Sequence, residues 1–258
     1  MRGLWAIYAR EMRGYFTSPI AYVVTTVFLV LVGLFFINAV RNYIAFDSYV
    51  RERMLALGQE STPADVHQYL LRRLITTFGA ITLFVLPFVT MGSFAEEHRS
   101  GTMELLMTSP VGQRQIVLAK FLAASTFFLL LLLLGLGLVS TLFFYGNPHP
   151  HSVLVGFLGV FLQGESFLVV GMFISSLTRS QVAAGIGGLG AALLLWLAGL
   201  IGDPTSTLGH WLNDLSLVAH FEDFSKGILD TRHVVFHASF IFFGLFITLR
   251  SLESLKYR

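Results

Sequence analysis

An all-α, polytopic membrane fold is what this sequence predicts, and three observations carry the prediction. Uncharged apolar runs of the length that crosses a bilayer core, about 20 residues at 1.5 Å each, recur along the chain, with a shorter one near its end. Only 12% of the 258 residues are charged and 55% are hydrophobic, about half the roughly 25% charged share of a soluble domain. Mean hydropathy is +0.72, with 25 Phe and 24 Gly, so the apolar excess has to face lipid. A soluble globular body, a disordered chain and a collagen-like repeat are excluded. The net charge of +2 is scattered rather than gathered in a patch, so nucleic acid is not an expected partner. With no cysteine, disulfides, Cys-ligated zinc, iron–sulfur clusters and thiol nucleophiles are excluded too.

The elements follow in order. Met1 to Thr17 carries Arg2, Arg10, Glu11 and Arg13 spread along it, which is not the layout of a cleavable leader. At 100° per residue Leu4, Trp5, Ile7, Tyr8, Met12, Tyr15 and Phe16 share one half of a helical wheel and the three arginines the other, as in a helix lying in the membrane interface. Glu11 breaks that pattern. Ser18-Pro19 supplies an N-cap and first-turn proline for span one, Ile20 to Val40. Span two is Leu74 to Phe94 and span three Phe121 to Tyr145, leucine throughout from Leu129 to Leu134. Span four, Val153 to Leu177, contains Glu165; span five, Val182 to Ile201, is glycine-rich; span six, Val234 to Leu249, has sixteen residues and begins at or before Val234. The whole of 1–258 reads as one transmembrane domain. Six spans place both termini on one side, which holds ten of the seventeen Lys and Arg, so the positive-inside rule makes that side cytoplasmic.

Three segments are polar enough to do more than connect. Arg41 to Arg73 reads as a solvated external loop with a helix start at Ser61-Thr62-Pro63-Ala64-Asp65. Ala95 to Lys120, AEEHRSGTMELLMTSPVGQRQIVLAK, is longer and more charged than a bundle connector needs. Within it Gly101 breaks the exit from span two, Thr102 can cap a short helix with Glu104 in its first turn, and Ser109-Pro110 starts the next helix. This pattern suits a docking element for a cytoplasmic partner. Gly202 to His233 holds apolar pieces, Leu208 to Trp211 and Leu215 to Ile228, too short to cross; they either re-enter the membrane or lie on its outer face.

Inside the spans, Glu165 with Gln163 and Ser166 is the polar exception, and a mid-helix carboxylate has to point into the bundle. It is either a proton or substrate contact or a packing residue. Ala183, Gly187 and Ala191, with Ala184, Gly188 and Ala192, form small-residue rows suited to close helix contact and a dimer seam. His149 and His151 flank Pro150, and His233 and His237 can share one helix face, but without acidic or cysteine partners no metal site is expected. No phosphate-binding loop, nucleophile elbow, HExxH or dinucleotide fingerprint occurs. Energy for uphill movement has to come from a partner or an ion gradient.

The stretch SFAEEHRSGTMELLMTSPVGQRQIVLAKF, Ser93 to Phe121, resembles the signature of ABC-2-type transporter permeases, where span two leads through a cytoplasmic coupling helix to span three. AREMRGYFTSPIAYV (Ala9 to Val23), SSLTRSQVAA (Ser175 to Ala184) and HFEDFSKGILDTRHVVF (His220 to Phe236) resemble the gliding-motility subgroup of that family in the same order. The resemblance implies a six-span permease subunit in a bacterial inner membrane. It implies pairing with a second or homologous permease and with two cytoplasmic ATPase subunits that hold the ATP and Mg, none being bound by this chain. An external accessory protein and the lipid bilayer complete the expected partners. By the same resemblance Glu96, Glu97, Arg99, Gly101, Thr102, Glu104 and Pro110 belong to the ATPase-coupling region, and spans one and five line the seam and route. Charge reversal at Glu97 or Arg99 is then expected to uncouple ATP hydrolysis from transport.

Overall fold

The structure is a computed structural model that describes residues 2–58, 67–103, 111–145, 148–201 and 206–255. Among these it is helical, and six helices are long and apolar enough to cross a membrane. α1 (Arg2–Thr17) is the interfacial helix. α2 (Pro19–Ala56) is capped by Ser18, whose Oγ accepts from the Ile20 N–H, with Pro19 in its first turn. A π-turn (His67–Leu71) leads into α3 (Arg72–Thr90), and after a break at 91–94 comes the short α4 (Ala95–Ser100). α5 (Gln113–Ser140) is followed by a single turn, α6 (Leu142–Tyr145), and then by α7 (Pro150–Leu177) and α8 (Gln181–Ile201). Two short helices, α9 (Thr207–Leu215) and α10 (Leu217–Ser225), precede α11 (Thr231–Leu255).

Two boundaries differ from the sequence reading. Span one does not end at Val40: α2 continues to Ala56, about 57 Å at 1.5 Å per residue, and stands well clear of a 30 Å core. Arg41 marks where the helix leaves lipid, not where it stops, because nothing between Val40 and Ala56 breaks a helix and the Arg51–Asp47 pair at 2.8 Å supports it. Span six is 25 residues long, since its polar first turn and last turns continue the same helix. The helix start at Ser61 to Asp65 lies outside the described residues.

α7 is the hub. It packs against α3, α5, α8, α10 and α11, and glycines let those neighbours press onto its backbone. A Cβ at Gly164 would fall inside the Phe128 ring of α5, one at Gly159 would meet Phe224 of α10, and one at Gly171 would meet Thr90 of α3. The two short helices are placed differently, beginning with α10. It is wedged into the bundle, with Leu217, Phe221 and Phe224 buried, whereas α9 lies along α8 with Trp211 exposed. The rows on α8 divide as well. Ala184 and Ala192 are buried, and a Cβ at Gly188 would come within 3.4 Å of Gly171 Cα, so that row serves packing within the chain. Ala183 is exposed and Gly187 and Ala191 are half-buried at its edge.

A second apolar cluster joins Ile7 of α1, Phe94, Ile116 of α5, Met172 of α7 and Leu252 of α11. It places α1 and the end of α11 on one face of the bundle, here the terminal face. Gly164→Val should force the Phe128 ring aside at a cost of about 1–3 kcal/mol, seen as a lower thermal midpoint in detergent. Gly190→Ala, where a Cβ meets nothing within 4 Å, should leave the midpoint unchanged.

Candidate coupling site

Lys120, in the third turn of α5, is the centre of the terminal face. Its side chain is only 3% exposed, and its ammonium lies 3.0 Å from Glu11 Oε1 and 3.1 Å from Glu97 Oε1. Arg10 approaches the same two carboxylates at 2.7 and 2.9 Å, so two cations and two anions cancel. The Phe94 ring stands 5.5 Å from the ammonium, a cation–π distance. One buried lysine thereby ties α1, α4 and α5 together. It also explains why Glu11 broke the amphipathic pattern of α1: the carboxylate turns inward to meet Lys120. Burial alone would raise the Glu11 carboxyl, but the Lys120 charge and hydrogen bonds from Arg10 and Lys120 outweigh it and hold it below the ordinary carboxylate range.

The N-terminus of α4 is anchored from a different helix. Ser175 Oγ, near the end of α7, accepts from the Phe94 and Ala95 N–H groups at 3.1 Å each and donates to the Met91 carbonyl at 3.0 Å. That uses the hydroxyl's one proton and two lone pairs and closes the backbone gap left by the break in span two. The neighbouring Ser176 Oγ donates to Ser251 Oγ of α11 at 2.9 Å. At its other end α4 stops at Gly101, whose φ of +71° is the left-handed conformation that glycine adopts without strain.

The residues expected to couple to a partner therefore separate. Glu96 and Arg99 are exposed. Glu97 is turned inward to Lys120 and Arg10, so its reversal breaks an internal cluster, and Arg99 is the cleaner test of docking. Thr102 Oγ1 sits 2.8 Å from Ser100 Oγ. Glu104 and Pro110, with the body of the helix expected after Thr102, lie outside the described residues. Arg10, Glu11, Lys120, Ser175 and Ser176 were not singled out by the sequence reading, although an acid on the wrong side of an amphipathic helix was a usable signal.

The intramembrane polar residues are brought to three different neighbours. Ser125 of α5 donates to Glu165 Oε1 at 2.7 Å; Ser166 Oγ lies 3.0 Å from His237 Nδ1 of α11; Gln163 is fully buried where α3 approaches at Gly79. At 100° per residue Gln163 and Ser166 lie about 60° apart on one face and Glu165 points away from Gln163, and the three reach different helices, so they do not form one site. His233 and His237, though one turn apart, take separate partners. Among the described residues no group of three or more His, Asp or Glu could hold a metal ion.

The opposite face carries a hydrogen-bonded chain. His220 Nε2 lies 3.0 Å from the Asp214 carbonyl, His220 Nδ1 2.8 Å from His233 Nδ1, and His233 Nε2 3.1 Å from Asp223 Oδ2. Because the carbonyl can only accept, the His220 proton sits on Nε2, which leaves His220 Nδ1 as the acceptor facing His233. Burial is the main cause that holds His220 below its ordinary value, helped by the His233 and Arg232 charges and opposed by the Asp214 carbonyl. A second proton on His220 would set two N–H groups against each other and release α10 from α11.

Lys120→Met should remove the shared partner of two carboxylates and cost about 3–5 kcal/mol, whereas Arg10→Met, more than half exposed, should cost at most about 1 kcal/mol; chemical denaturation in detergent compares them. The neutral form of His220 is the folded form, so its contribution is present above about pH 6.5 and lost as pH falls. Hydrogen exchange in α10 should therefore rise between about pH 6.5 and 5. Glu11 shares that sign but titrates lower, so exchange in α1 should rise only below the ordinary carboxylate range.

A family model described as ABC-2 family transporter protein matches residues 5–245. Over 161 residues the chain is 29% identical to the "Probable multidrug ABC transporter permease YbhR" of Escherichia coli (strain K12), covering 60% of this chain and 41% of that protein. Over 128 residues it is 31% identical to the "Probable multidrug ABC transporter permease YbhS" of the same strain, covering 48% and 33%. The chain thus matches less than half the length of these curated relatives. Six spans, an interfacial first helix and a broken second span agree with a family match that runs through almost all of them, and the chain belongs to the ABC-2 transporter family.

Proposed function

We propose that this chain is the membrane-spanning permease subunit of an ATP-driven exporter. Two copies, or one copy and a homologous permease, would assemble with two cytoplasmic ATPase subunits, which supply the nucleotide and Mg site that this chain lacks. The terminal face would be cytoplasmic and the membrane a bacterial inner membrane. The observation that carries the reading is the mounting of α4. The helix is fixed to α7 by Ser175 and to α1 and α5 by the Glu97–Lys120–Arg10–Glu11 cluster, and it presents Glu96 and Arg99 outward beside the Gly101 break. A push on α4 is therefore delivered to α1, α5 and α7 together. Nucleotide can shift an inward–outward equilibrium only by favouring one of the two states, and α4 is the part of the chain through which an ATPase would do so. The edge row Ala183, Gly187 and Ala191 on α8 would form the seam with the second permease.

The second reading is a non-transporting anchor or mechanical transmitter that uses the same ATPase cycle to act on an external accessory protein. It is favoured by the separate partners of Glu165 and Ser166, Ser125 on α5 for one and His237 on α11 for the other, and by the gliding-motility likeness of the landmarks above. Movement of substrate into sealed vesicles separates the two. Tagged protein taken from native membranes in mild detergent should bring an ATP-hydrolysing subunit with it. Arg99→Glu should reduce that recovery by about tenfold while leaving the permease folded in the membrane. Undiminished recovery with Arg99→Glu would refute docking at α4.

A further inference from the structure

Along one side of α2 and α3, three cavities run end to end. At the terminal face a crevice of 170 Å³ carries Glu11 and Glu96. It shares Ile20, Val24 and Phe88 with an apolar furrow of 410 Å³, which in turn shares Leu31 and Phe84 with a cavity of 640 Å³ at the opposite face. That last cavity opens at Tyr69, Arg72 and Arg73. Its volume is within the roughly 300–1,000 Å³ of ligand sites, which combine apolar walls with a few placed polar groups.

The wall chemistry narrows the ligand. Thr76 and Thr77 line the cavity but donate to the Arg72 and Arg73 carbonyls at 2.9 and 2.8 Å, so their protons are taken. What remains is an apolar wall, with Phe35 and Phe84 about half exposed, under two guanidinium groups. Arg72 shares itself with Glu222 at 3.2 Å; Arg73 has no carboxylate partner among the described residues. The charges along the furrow are ordered: Glu96 at the terminal end, where Glu11 is already neutralised by Lys120 and Arg10, and arginines at the far end. An acidic headgroup is repelled by the first and drawn to the second.

We propose that the α2–α3 furrow binds an anionic phospholipid, with its phosphate on Arg73 and Arg72 and an acyl chain lying past Phe84 toward the terminal face. Guanidinium groups at the edge of the hydrocarbon layer suit a phosphate in two-point geometry. The small residues that would let a second copy close on this chain lie on α8, whereas the furrow is walled by branched aliphatic and aromatic side chains, among them Val23, Val27, Leu31, Phe84 and Phe88. The proposal goes beyond the transport reading and can fail or hold without it, because binding is read with no ATPase present.

Native mass spectrometry of the purified chain, offered equal amounts of phosphatidylglycerol and phosphatidylcholine with matched chains, tests it. The chain should keep phosphatidylglycerol about tenfold better, because the choline ammonium of phosphatidylcholine cancels the net negative charge that the two guanidinium groups attract. Arg73→Gln should bring the ratio near one, Arg73→Lys should restore most of it, and Ala80→Trp should evict lipid of both kinds by filling the furrow. Arg51→Gln, which removes a paired arginine of α2 outside the cavity, should leave the ratio unchanged. Equal retention of the two lipids by the unaltered chain would overturn the proposal, as would a ratio insensitive to both Arg73→Gln and Ala80→Trp. Displacement of phosphatidylglycerol by inorganic phosphate alone would reduce the site to an anion contact and overturn the role of the furrow.

Discussion

Lipid tails are as apolar as leucine, so helices in a bilayer gain little by exchanging lipid for one another; close approach and buried hydrogen bonds have to hold them. In this chain both requirements converge on α7. Its glycines admit Phe128, Phe224 and Thr90 to the backbone itself, and its polar side chains reach Ser125 on α5, His237 on α11 and the backbone ahead of α4. Remove that helix and the five neighbours have no common partner. The rest of the architecture, including the seating of α10, follows from how each of them meets α7.

The same constraint explains how a small surface helix can act on a large bundle. α4 has only six residues, too few to be stable as an isolated helix. Its geometry comes from elsewhere: from a serine on α7 that replaces its missing first-turn partners, and from a lysine on α5 that is shared with α1. Each link joins a different helix, so α4 cannot tilt without carrying its mounts. Gly101 then marks where the rigid part ends. The opposite face uses another device, a chain of imidazoles and a carboxylate that closes α10 onto α11 and depends on one proton. The two faces are thus held by chemistries that respond to different conditions, carboxylate pairing on one and imidazole protonation on the other.

What the residues disclosed beforehand was local. Span positions, the Ser18-Pro19 cap and the Gly101 stop are legible because length, hydropathy and turn chemistry act over a few residues. The true end of α2 was hidden because a charge such as Arg41 reports departure from lipid and says nothing of helix continuity. Lys120 looked like the charged threshold of span three; only tertiary structure sets Glu11 and Glu97 against it. Ser175 was an ordinary polar residue at a helix end until the break at 91–94 was laid beside it. His233 and His237 show the limit most plainly. Their spacing offered one shared face, yet His233 pairs backward with His220 and His237 sideways with Ser166. Of the small-residue rows on α8, periodicity could not tell that Ala184, Gly188 and Ala192 would be the buried one.

The central claim is that α4, held by Ser175 and Lys120, is where force enters this bundle. Site-specific photocrosslinking tests it most directly: a photoreactive side chain placed at Arg99 in native membranes, illuminated with and without ATP. The account predicts a crosslink to an ATP-hydrolysing subunit whose yield changes when nucleotide is added. Crosslinks to lipid or to this chain alone, in membranes where that subunit is present and turning over ATP, would contradict it.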